Sequence, residues 1–450
     1  MIQLVRILLI NVGLLGLSGC SVFLGYSADL DQYEQQLINN NCDYTEIDKQ
    51  LDSDPLLWAL NGGALARQCH DYKKSIEYLD QAEALFKEQE LALTIKSVGQ
   101  SIGSVVINNN INDYQGENYE KIMMNVYKGL NFMSLHDLDN ARVEFNRVLD
   151  RQRRAAEFFE LEINDAYTKY NRSKYMQEIR KPVGSDERIE TYRGDINPEV
   201  IYPNFVNPFA TYMSGLFFYL DGDYDKARDL FKQTARMLPN QQQVKADLAL
   251  TEQGSLRKQH YAWLIYENGQ SMIKRSFTYH FPSYLFTDKI VTSDVSLPTI
   301  YKRASSYPYL LLDQQKTAEI ASMDNIIQIE FNKKLPAIIT EAMLNMVAKS
   351  AIQYSLEKNF EQYGGKWLGF LYQLSTDVAD VRQWRAMPKN FQIARTLIKG
   401  NKLTIYKPDG SVLTEIDSLL TDRDAIIYIK SDIVDHYIID IIQKSAIHNS

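Results

Sequence analysis

The chain has 450 residues, 45% of them apolar and 24% charged, with 49 Lys and Arg against 57 Asp and Glu for a net charge of −8. That length holds several domains with sizeable cores, and that composition excludes an intrinsically disordered chain. An acidic balance without basic runs argues against nucleic acid or an anionic membrane surface as a partner.

Met1 to Gly19 carries one early positive charge, Arg6, then an apolar run from Ile7 to Leu17. The run is too short for a membrane span and reads as a signal peptide over 1–19. It ends Leu17-Ser18-Gly19-Cys20, which resembles a bacterial lipobox. Small residues there admit a peptidase to the backbone ahead of an acylated thiol. Cys20 is the expected lipidation site, palmitate included, and its acyl chains would bury methylenes at ~0.8 kcal/mol each. An ordinary secreted protein and an uncleaved anchor are the alternatives. Ser21, where Asp would signal inner-membrane retention, resembles an outer-membrane passenger facing the periplasm. Residues 20–28 form the tether.

A helical region is expected over 29–254. Asp29 to Ile38 opens it, Asn39-Asn40-Asn41 breaks the helix, and Tyr44 to Leu51 is a second one. Asp54 caps and Pro55 starts a third at a favourable first-turn position. Helix pairs follow at Pro55–Gln68 with Tyr72–Lys87, at Tyr119–Arg153, and at Pro208–Pro239. A long helical stretch, Leu85 to Val106, separates the first two. In the last pair Tyr224, Ala227, Leu230, Phe231, Thr234 and Leu238 share one helical face, and Pro239 ends the helix. Gly215 is expected opposite Ala227, Gly129 opposite Ala141, and Gly63 opposite Ser75, each twelve residues on. Phe145 and Phe231 are further packing anchors. Gly, Tyr, Ala, Phe and Pro at these offsets resemble a tetratricopeptide repeat. The pairs recur 66 and then 86 residues apart, so other segments interrupt the array. One is an irregular insertion at about 181–208, rich in Pro and charge.

Cys42 and Cys69 are the thiols left once Cys20 is acylated, and each sits at a turn between helices. An oxidising compartment and adjacent turns predict a disulfide between them; two independent buried thiols are the alternative.

Residues 255–450 change character. Strands are expected at Tyr261–Tyr266, Ser276–Phe281, Leu297–Lys302, Tyr309–Leu312, Phe391–Ile398, Leu403–Tyr406, Val412–Ile416 and Ala425–Lys430. Helices are expected at Pro336–Lys358 and Trp367–Val381. The fold class is therefore mainly α: a tetratricopeptide-like helical superhelix followed by an α+β domain, a sheet with two or three helices on it.

Three runs carry a wider resemblance. They are Asn112–Glu120 leading into Tyr127–Leu130 and Ala141–Glu144, Asn207–Leu216 with Gly222–Tyr224, and Ala379–Pro388. Together they resemble a family of proteobacterial lipoproteins with tetratricopeptide-like repeats. The match covers roughly 29–406. The resemblance implies a neighbourhood of small lipoproteins like the outer-membrane activator of a penicillin-binding protein, and it brings no activity with it.

Two clusters are candidate sites. Tyr114 and Tyr119 are either a partner-binding strip or rings packed into a turn. Asp380, Arg382, Trp384 and Arg385 are either an interface hot spot, since Trp and Arg dominate such energies, or a lock made by Asp380 with Arg382 or Arg385. No histidine pair has metal-ligand spacing, no cysteines form CxxC, and no nucleophile elbow or phosphate loop occurs, so no metal, cofactor or catalytic residue is expected. The expected function is an outer-membrane-anchored periplasmic scaffold whose repeats bind partner proteins in envelope or peptidoglycan-synthase assembly. Alternatives are an accessory to outer-membrane protein assembly, or an enzyme acting on cell-wall polymer through residues 255–450.

Overall fold

The structure, a computed structural model, describes residues 28–98, 114–172, 206–282, 292–335, 338–339, 342 and 379–443. The signal peptide, Cys20, most of the tether and most of the 181–208 insertion lie outside the described residues, as does nearly all of Pro336–Lys358 and 367–378. The protein is an α+β mix with its helices first and its sheets in the C-terminal region.

Nine helices are described before the first strand: α1 over 28–38, α2 Thr45–Gln50, α3 Pro55–Gln68, α4 Tyr72–Val98, α5 Asn118–Ser134, α6 Leu138–Arg172, α7 Pro208–Asp221, α8 Tyr224–Met237 and α9 Gln242–Thr251. The expected helices Tyr72–Lys87 and Leu85–Val106 are one continuous helix, α4, as far as Val98. Local chemistry sets the boundaries. Asp54 accepts from Leu57 N at the start of α3, and Asn207 from Phe209 N and Ala210 N at the start of α7, each ahead of a first-turn proline. Helix α5 instead opens with a capping box of Glu117 and Glu120.

Three hairpins, α3–α4, α5–α6 and α7–α8, are built alike. Each first helix ends with a residue in the left-handed region: His70 (φ 58°), His136 (φ 60°) and Gly222 (φ 91°). The next residue is an aspartate whose N–H reaches back to the helix: Asp71 to Ala66 O (2.9 Å), Asp137 to Phe132 O (2.8 Å) and Asp223 to Phe218 O (2.8 Å). The same aspartates cap the second helices, accepting from Lys74 N, Asn140 N and Lys226 N. A Cβ placed on Gly63 would lie 2.4 Å from Leu79, one on Gly129 2.8 Å from Phe145, and one on Gly215 3.1 Å from Phe231. The side chain standing over each glycine is thus sixteen residues on, and the expected twelve-residue partners are buried as well. Ser75 Oγ donates to Gly63 O at 2.6 Å, while Ala141 and Ala227 are fully buried.

Past a short turn at Gly254–Leu256, β1 (Tyr261–Asn268) begins the sheets. They also hold β2 (Ile273–Pro282), β3 (Thr292–Tyr301), β4 (Leu311–Leu312), β5 (Gln315–Lys316), β6 (Ala318–Ser322), β7 (Asn390–Leu397), β8 (Leu403–Tyr406), β9 (Val412–Ile416), β10 (Ala425–Ile433) and β11 (His436–Gln443). Helix α10, 323–335, follows β6. The single expected sheet is three among the described residues: β11-β10-β1-β7-β6, β5-β4-β8-β9, and the hairpin β2-β3. In the largest, β1 runs parallel to β10 and antiparallel to β7. Residues 379–381, expected at a helix end, are not helical.

Strand alternation sorts the core. Trp263 and Ile265 of β1 and Ile426 and Tyr428 of β10 face the helices. Ala262, Leu264 and Tyr266 with Ile427 and Ile429 face β4, β8 and β9. Phe209 of α7 stacks on Phe391 of β7 with ring centroids 3.7 Å apart. The helix-side cluster runs without interruption from α1 to β11, so the core does not divide at residue 254.

Candidate functional site

The run Asp380–Met387 is polar and aromatic, yet it is almost entirely inside the molecule. Trp384 is fully buried, edge-on to Tyr127 of α5 at 5.6 Å. Arg382 bridges Asp380 (2.9 Å) and Asp54 at the cap of α3 (2.8 Å). Arg385 reaches Glu34 of α1 at 3.0 Å, and the same carboxylate takes Arg303 at 2.8 Å. Main-chain N–H groups complete the attachment: Trp384 N donates to Glu120 (2.8 Å) and Arg385 N to Asn61 (3.3 Å). The expected Asp380–Arg382 pair is present, and it fastens the loop to α1, α3 and α5. A surface hot spot at Trp384 is ruled out by its burial.

Tyr114 and Tyr119 are also interior, 3% and 2% exposed, so they form no partner strip. Both hydroxyls donate to Glu120, at 2.7 and 3.2 Å. Burial raises the pKa of that carboxyl, and the charge of Glu117 raises it further. Beside it, Glu330 of α10 accepts from Asn118 N (2.7 Å) and Tyr119 N (3.2 Å), a carboxylate on the positive end of α5. Burial pushes Glu330 up to about 7, against the pull of Lys334.

The structure joins Cys42 and Cys69 in a disulfide, with Cα atoms 5.9 Å apart. It ties the turn after α1 to the end of α3. Tyr224 packs edge-on against Tyr219 at 5.5 Å, and α8 ends before Pro239. Cys20 lies outside the described residues.

On one side of the seam between hairpins and sheet a cleft of about 370 Å³ opens. Its apolar wall comes from Met133, Leu138, Phe217 and Leu220 on the helices and Ile442 on β11. Its polar wall comes from Arg257 and His260, just past the Gly254–Leu256 turn, and from Asp424 before β10. Asp424 fixes that wall: it pairs with Arg257 and accepts from Tyr261 N at 2.8 Å. Arg257 is sandwiched over the rings of Tyr219 and Tyr261, 5.4 and 5.2 Å from their centroids. Sequence patterns miss these residues. Arg257 and His260 sit in a linker with no periodicity, 164 or more residues from Asp424, and the signal there was only the change in composition after Gly254. Among the described residues no three of His, Cys, Asp or Glu gather as metal ligands would.

Comparison with protein-family models, curated proteins and solved structures finds no match for the chain.

Proposed function

We propose that this chain is a binding protein of the bacterial envelope, held by lipid at Cys20 to the periplasmic face of the outer membrane. Its three hairpins are the units of a tetratricopeptide-like array, and its sheet region is fastened to them as one body. The partner is an envelope protein, in line with the resemblance to lipoproteins near peptidoglycan-synthase activators. The observation that carries this reading is the seam cleft. Both halves contribute to it, one wall apolar and one charged, as recognition clefts combine an apolar body with a few placed polar groups. The shared turn and glycine construction of the hairpins supports the repeat reading.

Two measurements test it. Cys20→Ser should move the protein from the membrane to the soluble fraction and abolish labelling by a fatty-acid probe; unchanged labelling would refute the anchor. A photo-crosslinking amino acid at Leu220 should yield a discrete protein adduct in intact cells, and one at exposed Val412 should not. Equal yields at the two positions, or none at Leu220, would remove the cleft as the partner site.

A further inference from the structure

The polar wall of the cleft is not self-sufficient. Arg257 has a side chain only 10% exposed, and one of its two terminal nitrogens, Nη2, is taken by Asp424. The other, Nη1, is buried with no acceptor. His260 Nδ1 is likewise buried without a partner, since Asp424 Oδ1 stands 3.8 Å away, beyond hydrogen-bond reach. Tyr219, under the guanidinium, has an unpartnered buried hydroxyl as well. Three unsatisfied polar atoms around one ion pair is an unusual concentration, because each such group costs free energy unless something accepts from it. Nη1 can only donate, and the imidazole and phenol can donate too, so one acceptor would serve all three, and the guanidinium makes an anionic acceptor the best match. Asp424 and Asp221 line the same cleft. With Arg257 and Arg423 also lining it, the cleft's formal charges balance, and one added negative charge suits it better than the two of a phosphate. The apolar wall opposite demands that the rest of the ligand be hydrocarbon, and the volume admits a body of modest size.

We propose that the cleft takes a monocarboxylate with an apolar body, its carboxylate held by Arg257 and His260 and its hydrocarbon laid on Leu138, Phe217 and Leu220. This rests on the reading of the cleft as a recognition site, and it names the group recognised. Two sources share that chemistry: a free organic acid, and the C-terminus of a polypeptide ending in an apolar residue.

The test is calorimetric titration of the full chain in detergent with phenylbutyrate, its uncharged amide, and a peptide ending in leucine with a free or amidated carboxyl. Phenylbutyrate should bind and its amide should bind at least roughly tenfold more weakly, the scale of one charge-assisted hydrogen bond. Arg257→Gln should lose a similar factor for the acid and little for the amide. Leu220→Trp, which fills the apolar end and leaves the Arg257–Asp424 pair intact, should abolish binding of both; it carries the test should Arg257→Gln fail to fold. A peptide binding more tightly than phenylbutyrate, with loss on amidation, assigns a chain terminus; the reverse order assigns a free acid. Equal binding of acid and amide, no dependence on Leu220, or no binding by either acid overturns the proposal. Adducts at Leu220 without carboxylate binding would overturn this inference alone. Carboxylate binding without adducts would instead count against the protein-partner reading.

Discussion

Gly222 and His136 occupy equivalent turn positions, and the comparison shows what each residue contributes. Both adopt the left-handed region, which disfavours a Cβ; nothing lies within 4 Å of where a Cβ on Gly222 would be. Gly222→Ala should therefore cost about 1 kcal/mol through backbone strain alone. An unchanged urea midpoint would show that the turn relaxes. Charge at the residue scale is decided at Lys128, 2% exposed, which holds Glu83 at 2.6 Å and Glu144 at 3.0 Å. Burial works to raise the pKa of Glu83, but the hydrogen bond and charge of Lys128, helped by Lys87 and Arg147, hold it down at about 2. A depressed carboxyl stabilises the fold fully above its unfolded value of 4.5. That contribution is lost as pH falls from there through about 2. Lys128→Met removes the buried cation between Glu83 and Glu144, leaving Glu83 to Lys87 and Arg147 and Glu144 to Arg147, and should cost roughly 1–3 kcal/mol at neutral pH. Because protonation then relieves the lost charge compensation, the variant's deficit should shrink on acidification. A pH series of denaturation midpoints that stays parallel to the parent's would contradict this.

At the scale of elements, the hairpins differ in how tightly their helices close over the glycine. Replacing a mid-helix glycine by alanine gains about 1 kcal/mol of helix propensity. At Gly215 the nearest atoms would be 3.1–3.3 Å away, so gain and crowding should nearly cancel. At Gly63 the new methyl would sit 2.4 Å from Leu79 Cδ2 and 2.5 Å from its Cγ. Repacking there should cost roughly 1–3 kcal/mol, leaving a net loss. Denaturation of Gly63→Ala and Gly215→Ala side by side ranks them. The opposite order would remove the close approach as the reason for the glycines. The second and third hairpins are joined by Phe145 on Phe217, stacked at 4.8 Å, which couples neighbouring units.

On the scale of the whole molecule, the helices and the large sheet are not independent folding bodies. Glu120 is fully buried in α5 and takes one of its hydrogen bonds from Trp384 N; Asp54 takes its ion pair from Arg382. A 28–254 fragment would expose the helix-side core and strand those groups, so it should show no cooperative thermal transition. In the full chain Trp384→Ala should cost roughly 3–5 kcal/mol. Helix-sensitive and tyrosine-sensitive probes should still melt together, as one core requires. A fragment that melts cooperatively, or a variant whose two probes separate, would restore a domain boundary at 254.

What was legible in the amino-acid sequence is local. Asp54-Pro55, Asp221-Gly222-Asp223 and Pro239 marked helix ends because caps, left-handed turns and the missing proline N–H act within a few residues. The strands Leu403–Tyr406 and Val412–Ile416 were readable from their turn residues and β-branched content. Strand β11, with its Tyr-Ile-Ile-Asp-Ile-Ile run, alternates poorly and so carries no clear strand signal, and β6 is short. The tertiary structure alone decided which side chains meet. Arg382 pairs with an aspartate 328 positions earlier, and Glu330 caps a helix 212 positions earlier. The cleft exists only because the turn at Gly254–Leu256, the loop before β10 and the second and third hairpins converge on it. Periodicity encodes which face of an element is buried; what that face is buried against is fixed by packing across the whole chain.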